Sequence, residues 1–108
     1  MSLKLPTTWE GLSKLNRLME LEEKVKQLKS EIEGVGKALR DTPAEKEIAF
    51  FIVRAQRLQD WCFTAHFSVL EGYNVPGSSI AELERDFEVL QEDWIEFIKS
   101  NNLGILWL

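Results

Sequence analysis

Apolar residues recur along most of this chain with the spacing of helices, in blocks divided by turn-forming residues. From Leu18 the first block keeps a strict heptad, with Leu18, Val25, Ile32 and Leu39 at one position and Leu21, Leu28 and Val35 at the other. Alternating steps of three and four return to nearly the same side of a helix, which makes this the seam of a coiled coil. Trp9, Leu12 and Leu15 are spaced by threes, so the phase slips before the seam begins and local overwinding is expected there. Thr7, with Glu10 three residues on, fits a capping box and predicts a helix start. Glu20–Lys24, Glu22–Lys26 and Glu33–Lys37 stand four apart in the favourable order and keep the other faces wet. Gly34 and Gly36 weaken the far end by up to about 1 kcal/mol each relative to alanine, so bending or fraying is expected there.

A second helix is predicted from Thr42-Pro43-Ala44-Glu45, where threonine caps, proline occupies the first turn and Glu45 closes a capping box. It carries Ile48–Tyr73, the most apolar run in the chain. Ile48, Phe51, Ile52, Ala55, Leu58, Cys62, Phe63, Val69, Leu70 and Tyr73 share one broad face, wide enough to need two neighbours. The opposite arc holds Arg54, Arg57, Asp60, Thr64, Ser68 and Glu71, yet Phe50, Val53 and Trp61 sit among them. Only a residue or two is left to connect the first two helices, which implies an antiparallel hairpin.

Val75-Pro76-Gly77-Ser78 has the order of a type II turn, and Ser79 with Glu82 repeats the capping-box pattern. A third helix follows, with Ile80, Phe87 and Trp94 at one heptad position and Leu83, Leu90 and Phe97 at the other. This spacing is similar to that of the closing helix of spectrin-type three-helix repeats, over about a fifth of the chain. The first helix has no matching central tryptophan, and the family is not assigned.

The expected fold is therefore all-α: one antiparallel three-helix bundle with coiled-coil-like packing, its helices at about residues 8–40, 43–72 and 80–101, followed by a short apolar C-terminal tail, 103–108. At about 1.5 Å per residue the first two helices run to about 45–50 Å and the third to about 33 Å. The end of the hairpin holding Ile48, Phe50 and Phe51 is then left uncovered, and the tail is expected to fold over it.

Charge narrows the partners. The net charge is −5, and the imbalance lies in the last third, where residues 78–108 hold seven acids against two bases. No basic face is offered to nucleic acid. Arg54, Arg57 and Asp60 interrupt the longest apolar run, so no membrane span is expected. A chain of 108 residues can build a core without staples, and its one cysteine, Cys62, cannot form an internal disulfide. The first residues lack the continuous apolar core of a signal peptide, and a cytoplasmic location is expected.

Candidate chemistry is sparse. Cys62 and His66 stand four apart facing the core, a spacing that two metal ligands can use, but the chain has no other Cys or His. Glu20, Glu22, Glu23, Glu31 and Glu33 alternate with lysines outside the seam and read as solvated. No catalytic residue, cofactor or metal site is assigned. Phe50, Arg54, Arg57 and Trp61 form a stripe on the second helix of the residue types enriched at binding hot spots. Together with Ile105, Leu106 and Trp107 of the tail they are the candidate partner-binding residues. The expected function is a non-enzymatic protein–protein interaction or assembly module, a homo-oligomer with a dimer favoured. The alternative is a small helical enzyme or ligand-binding or metal-binding bundle with a site at a dimer interface near Cys62 and His66. Apolar residues at both chain ends also suit a piece of a longer helical repeat protein.

Overall fold

Burying the Leu18–Val35 seam requires apolar surface from two directions, and the two later helices provide it. The computed structural model describes residues 9–101 as α1 (Trp9–Ala38), α2 (Glu45–Leu70) and α3 (Gly77–Ser100), with no strand among them. The helices form an antiparallel three-helix bundle. At one end Leu15 and Leu18 of α1 pack with Val69 from the close of α2 and Ile80 from the opening of α3. The main core joins Leu21, Val25, Leu28, Ile32 and Val35 to Ile48, Phe51, Ala55, Leu58 and Cys62, and to Phe87, Leu90, Trp94 and Phe97.

Both heptad seams are buried as expected, with Leu39 and Leu83 half-buried at their margins. The phase slip upstream has a different outcome. Leu15 is buried, Leu12 is at the surface and Trp9 is 86% exposed, so the opening of α1 projects past the bundle.

The broad buried face expected of α2 is narrower in the structure. Its seam is Ile48, Phe51, Ala55, Leu58, Cys62 and Val69, with Ala65 half-buried between the last two. Phe63 and Tyr73 are exposed instead. A three-and-four seam on α2 already serves both neighbours, and positions 63 and 73 fall beside it. The small residues in that seam let α2 approach α1 closely.

The α1–α2 connection runs through residues 39–44, longer than expected. α1 stays helical through Gly34 and Gly36 rather than fraying there. A side chain at Gly36 would meet Ile48 Cγ2 at 3.1 Å, so glycine admits the close approach of the hairpin there. Asp41 turns the chain with a left-handed φ of 67°. The expected cap at Thr42 takes another form: its Oγ1 donates to the Leu39 carbonyl at 2.6 Å, and Glu45 Oε2 accepts from the Asp41 amide at 3.0 Å. α2 then starts at Glu45. It closes in a Schellman motif at Gly72, φ 87°, with the Tyr73 amide donating to Ser68 and the Gly72 amide to Val69.

α3 begins three residues earlier than expected. Pro76 is its N-cap, with extended φ −61° and ψ 142°, and Gly77 is its first helical residue rather than the left-handed position of a type II turn. Ser79 makes no capping bond, since the helix is already under way. With 26 residues in α2 and 24 in α3 the two helices nearly match in length. The end holding Ile48 and Phe51 is therefore not left uncovered. The Phe51 ring meets Trp94 edge-on at 5.2 Å and Phe97 at 5.4 Å, a cluster worth about 0.5–1.5 kcal/mol per ring pair beyond its buried area. Phe50 alone of the three residues named at that end is exposed. The cap at Thr7 and the tail 103–108 lie outside the described residues.

Candidate functional site

The α2 stripe does form, and it borders a groove. Phe50, Val53, Arg54, Arg57 and Trp61 recur every three or four residues and so share one side of α2. Beside them α3 contributes Asp86 and Val89, and the buried Leu58 and Leu90 make the floor. The resulting cleft of about 470 Å³ is mainly apolar. Its aromatic and aliphatic walls are open to solvent: Phe50 is 65%, Val53 51%, Trp61 52% and Val89 43% exposed. A hydrophobic surface of this kind, rimmed by charge, is what protein contact sites offer.

The two arginines of the stripe differ. Arg54 Nη2 donates to Asp93 Oδ2 at 2.9 Å, and its guanidinium lies 5.6 Å from the Phe51 ring centroid. It therefore straps α2 to α3 and screens the aromatic cluster. Arg57 is exposed and makes no ion pair or hydrogen bond among the described residues. Sequence reasoning found the α2 wall but missed Val89 and Asp86. The signal available for Val89 was an apolar residue outside the α3 heptad.

Cys62 and His66 do not share a site. Cys62 is fully buried, and burial pushes its thiol up to about 11, with the negative charges of Glu22 and Asp86 adding to the effect. Such a thiol is a packing group rather than a nucleophile. His66 faces the α1–α2 side instead, half-buried, with Nδ1 2.7 Å from Glu22 Oε2. This corrects the expectation that His66 points into the core and that Glu22 is merely solvated. The pair borders a second cleft, of mixed polar and apolar lining and about 400 Å³, walled by Met19, Glu23, Lys26, Gln59 and Phe63 among others. Phe63 stacks on Phe67 nearby at 6.2 Å, and both rings are exposed.

Across the opposite α1–α3 side, Arg17 pairs with Glu84, a hydrogen bond that raises the arginine further above its ordinary value. Of the sequence-derived i,i+4 pairs on α1 none closes into an ion pair, whereas Glu10–Lys14 does at 3.0 Å. Among the described residues no group of three or more His, Cys, Asp or Glu is placed to hold a metal ion, and no helix is long and apolar enough to cross a membrane. Ile105, Leu106 and Trp107 lie outside the described residues. Compared with known protein families, curated proteins and solved structures, the chain gives no match in any of the three.

Proposed function

We propose that this chain is a non-enzymatic interaction module that assembles with itself, and that the α2–α3 groove is its contact surface. The carrying observation is the inversion on α2. Its seam holds small residues, Ala55, Cys62 and half-buried Ala65, while Phe50, Val53 and Trp61 stand outside it in solvent. Large apolar side chains kept out of a core that small ones fill contribute little to the monomer, and they supply the anchors that protein interfaces use. The apolar segment containing Ile105, Leu106 and Trp107 is a second contributor to assembly on this reading.

Trp61→Asp tests it. Trp61 is half exposed, so its replacement leaves the helical content unchanged while light scattering shows the assembled protein falling to monomer mass. A loss of helicity, or an unchanged mass, sinks the assignment of Trp61 to the contact.

The Glu22–His66 pair favours a second reading, a ligand-binding or catalytic bundle using the α1–α2 cleft. A carboxylate that orients a histidine beside an open cleft is an arrangement that a general base can use. A small molecule retained by the untagged protein in native mass spectrometry, and lost on His66→Ala, would put that reading first.

A further inference from the structure

Each wall of the apolar groove carries a charge, of opposite sign to the other, that is left unpaired among the described residues. Arg57 stands on the α2 wall and Asp86 on the α3 wall, and neither makes an ion pair or hydrogen bond among the described residues. The neighbouring pair, Arg54 and Asp93, is already closed at 2.9 Å. A cleft between a basic and an acidic wall is complementary to a copy of itself, provided the walls are exchanged.

Symmetry decides how they are exchanged. Homodimers meet through a two-fold axis, which can lie along the groove or across it. An axis across the groove sets α2 on α2 and α3 on α3. That places Arg54 and Arg57 of the two copies together, and it does the same to the acids of α3, which belong to a segment holding seven acids and two bases. Like charges brought face to face in this way oppose docking. An axis parallel to the helices sets α2 on the partner's α3 and keeps every residue at its own level. The Arg54–Asp93 pair fixes those levels. One turn along each helix, Arg57 comes level with about Leu90, within about a turn of both the partner's Asp86 and the partner's Asp93. Trp61, a further turn on, lies near the level of the partner's Asp86 and Val89.

Resting on the self-assembly reading above, we propose that two copies dock groove to groove about a two-fold axis parallel to the helices, burying Phe50, Val53, Trp61 and Val89 in a four-helix contact in which Arg57 pairs with the partner's Asp86. Side chains at these positions are anchors surrounded by charge, the composition of a specific interface.

Charge reversal in the full chain tests this, because the symmetric contact occurs twice. Arg57→Glu and Asp86→Arg are each measured alone and then mixed in equal amounts, by light scattering over a dilution series from roughly 1 mM to 1 µM. The wild type is dimeric. Each variant alone dimerises roughly tenfold or more weakly, since both of its contacts join like charges. The mixture regains dimer, because both contacts of the mixed pair again join opposite charges. That recovery also shows that each variant is folded. Variants that dimerise like the wild type, or a mixture that fails to recover, overturn this arrangement and leave self-assembly standing. A wild type that stays monomeric throughout removes self-assembly itself. Dimers that survive the reversals but are lost on ending the chain at Asn102 assign the contact to segment 103–108 and overturn the groove as its seat.

Discussion

At Cys62 a single buried group couples folding to pH. Its folded thiol titrates at about 11 against an ordinary 9.0, with desolvation the leading cause. Above pH 9 the unfolded chain has lost this proton and the folded chain has kept it, so the unfolded state binds fewer protons and stability falls as pH rises. The loss runs from about pH 9 to about pH 11 and is absent below it; a two-unit shift sets its upper bound at about 3 kcal/mol. Lysines titrate in the same region, so the measurement is a difference. Urea unfolding of wild type and Cys62→Ala between about pH 8 and 11 is expected to show an extra decline in the wild type that the variant lacks. The methyl-sized cavity left by alanine lowers the variant by an amount that does not change with pH, and does not mimic the slope. Parallel curves would show that the thiol is not held protonated by the fold.

Within the elements, two glycines of α1 show how one helical preference is decided by a neighbour. Gly34 has nothing within 4 Å of where a side chain would begin, whereas at Gly36 the same atom meets Ile48 Cγ2 at 3.1 Å and Ile52 Cδ1 at 3.9 Å. Gly34→Ala is therefore expected to stabilise by up to about 1 kcal/mol, through helix propensity alone. Gly36→Ala gains the same propensity and must displace Ile48, which is 1% exposed and held in the core, so it falls well short of Gly34→Ala. Equal gains in thermal midpoint would mean that the hairpin is looser at this crossing than the structure shows. The contrast also marks where the sequence stopped being legible. Both glycines read as helix weakeners, because propensity is a local property and the Ile48 contact is not. α1 and α3 were legible for a related reason, since Leu18 to Val35 and Ile80 to Phe97 place large apolar residues at every seam position. α2 was legible only in part: all six of its buried residues lie in the expected face, Ala55 and Cys62 included, but Phe63 and Tyr73 were read into that face because a large apolar side chain beside a seam of small ones looks like part of it. The groove was half visible in the same way. Phe50, Arg54, Arg57 and Trp61 are written on one helix, but Val89 and Asp86 join them only once α3 has been laid alongside.

The three helices are not bound together equally. The backbones of α1 and α2 approach each other most closely, and α3 packs less closely against either. What α3 brings instead is concentrated: Trp94 and Phe97 against Phe51 near one end, Ile80 against Leu18 and Val69 at the other, with the Arg54–Asp93 and Arg17–Glu84 pairs alongside. These ion pairs are partly exposed, and each contributes about 1 kcal/mol or less. Native-state opening follows the weakest contiguous surface, so release of α3 from an intact α1–α2 hairpin is the cheapest large opening available to this fold. Amide hydrogen exchange on dilute, monomeric protein is expected to show the amides of Phe87 to Phe97 opening at lower free energy than those of Val25 to Ile32 and Ala55 to Cys62. Dimerisation through the groove would cover α2 and α3 and leave α1 as it was. Raising the protein concentration should therefore slow exchange in α3 and bring it toward the level of the hairpin, with little change in α1. Exchange of all three helices at one common free energy, independent of concentration, would mean that the bundle opens only as a whole and that nothing docks on α3.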